Sequence, residues 1–284
     1  MIFRSREQTD MITSSNNAKV KQVVQWQTKA KERRKDHVFL AEGVRMCEEA
    51  PVKSVREVYL TEELEQKLRQ NAQNGDTAFW DKLQQTGYET VSPEVFAKMA
   101  DTQTPQGILT VLEQPSYDLA QLLEQSEPLF LILENLQDPG NLGTMIRTGE
   151  GAGITGVIMN GQTVDIFNPK TIRATMGSIF RVPFVYVPEL SPVLTQMHEK
   201  GIHTYAAHLK GKEYYDSFSF REPTAFLIGN EGNGLTKEIS DQSGQYLKIP
   251  MEGRVESLNA SIAAALLIYE AHRQRNLNSL HNSK

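Results

Sequence analysis

A single cysteine, Cys47, in 284 residues excludes an internal disulfide and any multi-cysteine zinc site. The six histidines show no H-E-x-x-H or comparable ligand spacing, so the sequence implies no metal. Long hydrophobic runs are missing as well. The longest, residues 262–269, falls far short of the roughly 18 residues that a membrane span needs. The first ten residues carry Arg4, Arg6, Glu7 and Asp10 and no apolar core, so no secretory signal is expected. An excess of positive charge is also absent, with 30 Lys and Arg against 35 Asp and Glu and a net charge of -5. What is present is an ordinary globular composition, 39% hydrophobic and 23% charged, which excludes disorder as the main state. The expectation is a soluble, cytoplasmic protein of two domains.

An acidic total does not preclude a local basic face, because charge is screened within roughly 8 Å. In residues 19–35, Lys19, Lys21, Lys29, Lys31, Arg33, Arg34 and Lys35 stand against Glu32 alone. On a helix such a run presents a basic surface to a phosphate backbone, or simply a solvated face.

The amino-terminal part alternates strand-like runs at 37–41, 55–60, 88–91 and 107–112 with helix-like stretches at 42–50 and 62–71. That pattern predicts a small α/β layered domain over 15–114. The polar, proline-containing residues 114–118 form the linker. Beyond it, residues 129–133 (LFLIL) read as a strand covered on both faces. Further strands are expected at 156–159, 182–187, 202–206, 225–228 and 246–249, with helices at 141–151 and 258–275. Asn168 followed by Pro169 marks another helix start. The expected second domain, 119–276, is a parallel sheet with helices on both faces.

Residues 151–156 spell G-A-G-I-T-G, the letters of a dinucleotide fingerprint. That fingerprint must follow a strand and open a helix, and here the order is reversed. It is read as a glycine-rich helix exit, against a nicotinamide dehydrogenase. Three other segments all follow strands at what should be one edge of one sheet, where open α/β sheets bind ligands. The first, residues 134–147, contains Asn141, the expected helix cap, and Arg147 about two turns on. The second, residues 229–235 (G-N-E-G-N-G-L), packs three glycines around Glu231, which no turn requires. The third, residues 249–261, passes from a proline into a helix through Ser257, Leu258 and Asn259, of which Ser257 and Asn259 serve as plain capping residues in a bland reading.

Together, N-x-G-x-x-x-R at Asn141, Gly143 and Arg147, G-N-E-G-x-G-L at 229–235 and I-P-M-x-G-x-V-E-S-L-N-A-S at 249–261 closely resemble the three motifs of the SpoU, or TrmH, family. Residues 39–43 (FLAEG) and 104–109 (TPQGIL) resemble landmarks of its substrate-binding domain, itself similar to an RNA-binding ribosomal protein. One departure is Ala260, where many relatives carry valine. The resemblance implies an RNA ribose 2'-O-methyltransferase of the SPOUT superfamily that uses S-adenosylmethionine. It implies an α/β fold, with a carboxyl-terminal parallel-sheet domain tied in a deep trefoil knot, and a homodimer. Arg147, Glu231, Asn259, Ser257 and Asn141 would be catalytic. Ala207, Gly229, Ile249 and Leu258 would contact the donor, and Arg33, Arg34 and Lys35 would bind RNA. Large-subunit ribosomal RNA is the expected substrate, with transfer RNA, or a catalytically silent RNA-binding protein, as alternatives.

Overall fold

A computed structural model describes residues 10–281. The chain forms two compact units. Of the described residues, one unit comprises those up to Pro115 together with Phe167–Phe180, and the other Ser116–Ile166 with those from Arg181 onward.

The first unit contains strands β1 (Val38–Glu42), β2 (Val55–Thr61), β3 (Glu89–Val91) and β4 (Ile108–Glu113), in the order β1-β4-β2-β3. Period-two alternation divides its core. Val58, Leu60 and Ile108 pack with Leu64, Leu68, Phe79 and Leu83 on one face. Tyr59, Leu109 and Val111 pack with Val20, Val23, Trp26 and Phe96 on the other. β1 and β4 are antiparallel, with Ala41 opposite Thr110 and Glu42 opposite Leu109, so the two landmark segments lie side by side. Glu42, expected to open a helix, instead ends β1. Gly43 then turns the chain at φ 97, and the Val44 N–H donates to Gln106 Oε1 at 2.8 Å.

The second unit holds β5 (Leu129–Leu133), β6 (Gly156–Asn160), β7 (Phe184–Val187), β8 (His203–Ala207), β9 (Glu213–Tyr214), β10 (Thr224–Ile228) and β11 (Gln245–Lys248). All pair in parallel, in the order β7-β6-β5-β10-β8-β11-β9. Every residue of β5 is buried, as its unbroken apolar run predicts. Phe130 and Ile132 face one core cluster with Ala225 and Leu227 of β10. The chain steps outward from β5 through β6 to β7, then resumes on the far side of β10. The switch point therefore lies at the β5–β10 pair, where parallel sheets open a crevice at their carboxyl ends.

The helix after β5 spans Pro139–Ala152, and its cap corrects one expectation. Asp138, not Asn141, is the cap. Its Oδ1 accepts the Asn141 N–H at 2.7 Å, and Pro139 fills the first helical position, where no N–H is needed. Asn141 is thereby left inside the first turn with its side chain free for other partners. At the other end Gly153 adopts φ 75, and β6 starts at Gly156, so the G-A-G-I-T-G string is a helix exit. Asn168 caps its helix as expected, accepting from the Lys170 N–H at 2.9 Å.

Candidate active site

Two loops leave the β5–β10 switch point side by side and are cross-linked at their roots. Glu134, buried directly after β5, accepts the Thr236 N–H and hydroxyl, each at 2.7 Å. The loop after β10 closes on itself. The Asn230 N–H donates to the Gly234 carbonyl at 3.0 Å, and Gly234 returns the bond at 2.9 Å. Gly229 permits this closure, because a Cβ there would sit 2.1 Å from the Gly234 carbonyl carbon and 2.2 Å from the Leu235 nitrogen. The Asn230 side chain accepts from the Gly232 and Asn233 N–H groups, at 2.9 and 3.0 Å.

This turn turns Glu231 back toward the first loop. One carboxylate oxygen accepts the Asp138 N–H at 3.0 Å and the Asn141 amide at 3.1 Å, and the other accepts the Gln137 N–H at 3.1 Å. Asn141 in turn accepts the Asn259 amide at 2.9 Å. Asn259 caps the final helix, Ala260–His281, through the Ser261 and Ile262 N–H groups. One hydrogen-bonded relay, Glu231–Asn141–Asn259, thus joins all three motif segments. Partial burial pushes the Glu231 carboxyl up, but the Asp138 N–H, the Asn141 amide and the neighbouring backbone outweigh it and hold it below the usual carboxylate range. Glu231 is ionised at neutral pH, and its oxygens already carry three donors.

Beside the relay lies a cavity of about 380 Å³. It is lined by Ala207, Gly229, Ile249 and Leu258, the four expected donor contacts, and by Glu231 and Ser257. Arg147 and Asn141 lie on the helix Pro139–Ala152 outside this lining, as does Asn259. Arg147 is exposed, and its guanidinium makes no hydrogen bond or ion pair among the described residues. His208 lines the cavity and was not singled out by the sequence. It stacks on Tyr246 with ring centroids 4.8 Å apart. Burial first, then the Lys210 charge, lowers its pKa, so its ring is neutral at pH 7. Only its position directly after a strand could have signalled it. Glu134 was legible as an acid abutting five apolar residues, a place where a carboxylate needs a fixed partner.

The basic run needs a correction. It forms two helices, Ala18–Thr28 and Ala30–Asp36. Arg33 is only 3% exposed, and its guanidinium donates to the Trp26 and Gln27 carbonyls at 2.7 and 3.3 Å. A helix end leaves carbonyls without partners, and Arg33 is spent on them. It offers no charge to a ligand, whereas Arg34 and Lys35 are exposed. Cys47 is inert, because burial pushes its thiol up to about 12.

A model of the SpoU rRNA Methylase family matches residues 128–269, and one of the MRM3-like substrate binding domain matches residues 17–110. Over 261 residues the chain is 34% identical to the 23S rRNA (guanosine(2553)-2'-O)-methyltransferase RlmP of Bacillus subtilis (strain 168), covering 91% of this chain and 97% of that protein. It is similar to the AdoMet-bound rRNA methyltransferase from Sinorhizobium meliloti, with a TM-score of 0.81 and 29% identity over 94% of this chain and 98% of that one. It is also similar to the SpoU methyltransferase AviRb from Streptomyces viridochromogenes in complex with AdoMet, with a TM-score of 0.78 and 27% identity over 91% and 98%. The SpoU match begins one residue before β5 and runs past Asn259, so it spans the relay and the whole cavity lining: the chain belongs to the SpoU rRNA methylase family of RNA methyltransferases.

Proposed function

We propose that the chain transfers the methyl group of S-adenosylmethionine to a ribose 2'-hydroxyl of 23S ribosomal RNA. The observation that carries this reading is the relay joining three motif loops beside a cavity of small-molecule size. The cavity fits the donor. Its walls combine apolar Ile228, Leu247 and Leu258 with backbone groups of three loops, and the Glu231 carboxylate suits a cationic ligand. Gly229, Ile249 and Leu258, with Ala207, would hold the donor, which when bound supplies a methyl group on a positive sulfur.

The residues of the chain then have separate tasks. Arg147 would pair with a phosphate of the substrate and stabilise the alkoxide as it develops. A guanidinium, with a pKa above about 12, does not act as the base. Glu231 is ionised and both its oxygens already accept hydrogen bonds, so it orients Asn141 rather than taking the proton. Asn141 and Asn259 fix the edge of the site, and the exposed Ser257 hydroxyl is available to the ribose. Alignment of the reacting atoms supplies much of the rate in such a transfer.

Residues 15–114 form the RNA-binding domain in this reading, with Arg34 and Lys35 as phosphate contacts, and 119–276 the methyl-transfer domain. A second copy completes the assembly. Ile262, Leu266 and Tyr269, at helical spacing on the final helix, are 50%, 37% and 46% exposed and support a homodimer. The strand order, with β10 inserted between β5 and β8, is compatible with a knotted chain, and a ribosomal substrate implies the cytoplasm. The test is to map ribose methylation across total RNA with and without the gene, and on 23S rRNA incubated with the pure protein and donor. One site lost in the first and regained in the second is expected. No site changing in either would overturn the proposal.

A further inference from the structure

The relay rests on a side chain outside all three motif segments. β6 lies beside β5 in the sheet, with Met159 opposite Leu133, and its last residue is Asn160. The Asn160 side chain grips Asn135 at two points. Its Oδ1 accepts the Asn135 N–H at 3.0 Å, and its Nδ2 donates to Asn135 Oδ1 at 2.7 Å. The Thr163 hydroxyl donates to the same Asn160 Oδ1 at 2.9 Å, which fixes the amide orientation. Asn135 needs such support. It sits at φ 55, the left-handed region that non-glycine residues disfavour, and turns the chain out of β5. Its carbonyl accepts the Asn230 and Gln137 side-chain amides at 2.9 and 3.1 Å. Two residues further on, the Gln137 and Asp138 N–H groups hold Glu231.

We propose that Asn160 is a positioning residue for methyl transfer: by clamping Asn135 it fixes the direction of the Gln137 and Asp138 amides, and through them Glu231, Asn141 and Asn259. The inference rests on the methyl-transfer reading above. It adds to it that the strand end next to the motif loops, which touches neither the cavity nor the relay, sets the rate. Asn160 is outside the cavity lining, so donor binding and turnover should separate.

The test uses the full chain with Asn160→Ala and Asn160→Asp. Asn160→Ala is expected to lower kcat at least tenfold with the Kd for S-adenosylmethionine within twofold. In Asn160→Asp the ionised carboxylate sets oxygen against Asn135 Oδ1. Asn160→Asp should therefore also lower kcat several-fold, with the donor Kd unchanged, although the side chain keeps its volume. A general loss of stability gives no such split between kcat and donor affinity. Val193→Ala, in the buried core of the same unit, is the control, with a lowered Tm and an unchanged kcat. Hydrogen exchange at residues 135–138 reports the clamp without any turnover, and should quicken at least tenfold in Asn160→Ala. Wild-type kcat in Asn160→Ala or in Asn160→Asp, or unchanged exchange, would overturn the inference. Failure of the wild-type protein to methylate rRNA sinks the methyl-transfer reading instead.

Discussion

Replacing Glu231 by glutamine preserves volume and removes charge, and the geometry allows the cost to be worked out. The glutamine carbonyl can take the place of the oxygen that accepts from Asp138 and Asn141, at 3.0 and 3.1 Å. Its amide then faces the Gln137 N–H, donor against donor, where the carboxylate accepted at 3.1 Å. One hydrogen bond is lost and two change from charge-assisted to neutral. At a partly solvated site this amounts to about 1.5 kcal/mol, or roughly tenfold in rate when the relay must hold its shape in the transition state. The assay is single-turnover transfer of a tritiated methyl group to rRNA, with donor affinity measured separately by calorimetry. A tenfold drop in rate with donor Kd changed less than about threefold is expected. A wild-type rate would refute the view that the Glu231 charge organises the site. The pH arm has a fixed sign. The folded carboxyl lies below its ordinary value of 4.5, so its stabilisation is complete above that pH and is lost as pH falls through the lower folded value. The Tm difference between wild type and Glu231→Gln should be constant above about pH 5.5 and shrink below about pH 4.5.

Arg147→Ala should abolish transfer and leave donor affinity intact, because Arg147 stands outside the cavity lining; unchanged turnover would remove it from the mechanism. Gly229→Ala forces the loop after β10 to open by roughly 1 Å and breaks the Asn230–Gly234 pair, so donor Kd should rise at least tenfold; calorimetry showing wild-type affinity would mean that the loop yields without cost. Charge reversal at Arg34 and Lys35 should weaken RNA binding and flatten the salt slope by roughly 1.5, two phosphate contacts at about 0.7–0.9 each. Adding Arg33→Met should lower Tm without further change in the slope, since its guanidinium holds carbonyls; an additional fall in slope would return Arg33 to the binding surface.

Much of this architecture is written locally. The run LFLIL marks β5 to the residue, because a strand buried on both faces has no polar position to blur its ends. Strand order is not local, since the insertion of β10 between β5 and β8 depends on how crossovers pack. β9, two exposed residues at the sheet edge, has too short a span for any period to show. The cap of the helix Pro139–Ala152 was misread although the signal was present. The rule that identified Asn168 before Pro169 applies equally to Asp138 before Pro139. The three motif loops were legible as candidates because each follows a strand, but the residues that brace them were not. Asn135 and Asn160 act on each other across 25 residues of sequence, and spacing carries no trace of such partners; Glu134 showed only as an acid in need of some partner, not which one.

The bracing also satisfies the Glu231 carboxylate without an arginine or a lysine. A partly buried carboxylate often pairs with such a cation, and the two charges then cancel for any third partner. Here the Glu231 charge is met by two backbone N–H groups and one amide. Those dipoles satisfy the carboxylate without consuming a positive charge. Arg147 makes no ion pair among the described residues, so its field stays directed at whatever anion approaches the helix face. A relay built from asparagines rather than salt bridges therefore serves both ends. It fixes three loops against one another, and in the proposed mechanism the Arg147 guanidinium remains for the phosphate and the developing alkoxide of the substrate.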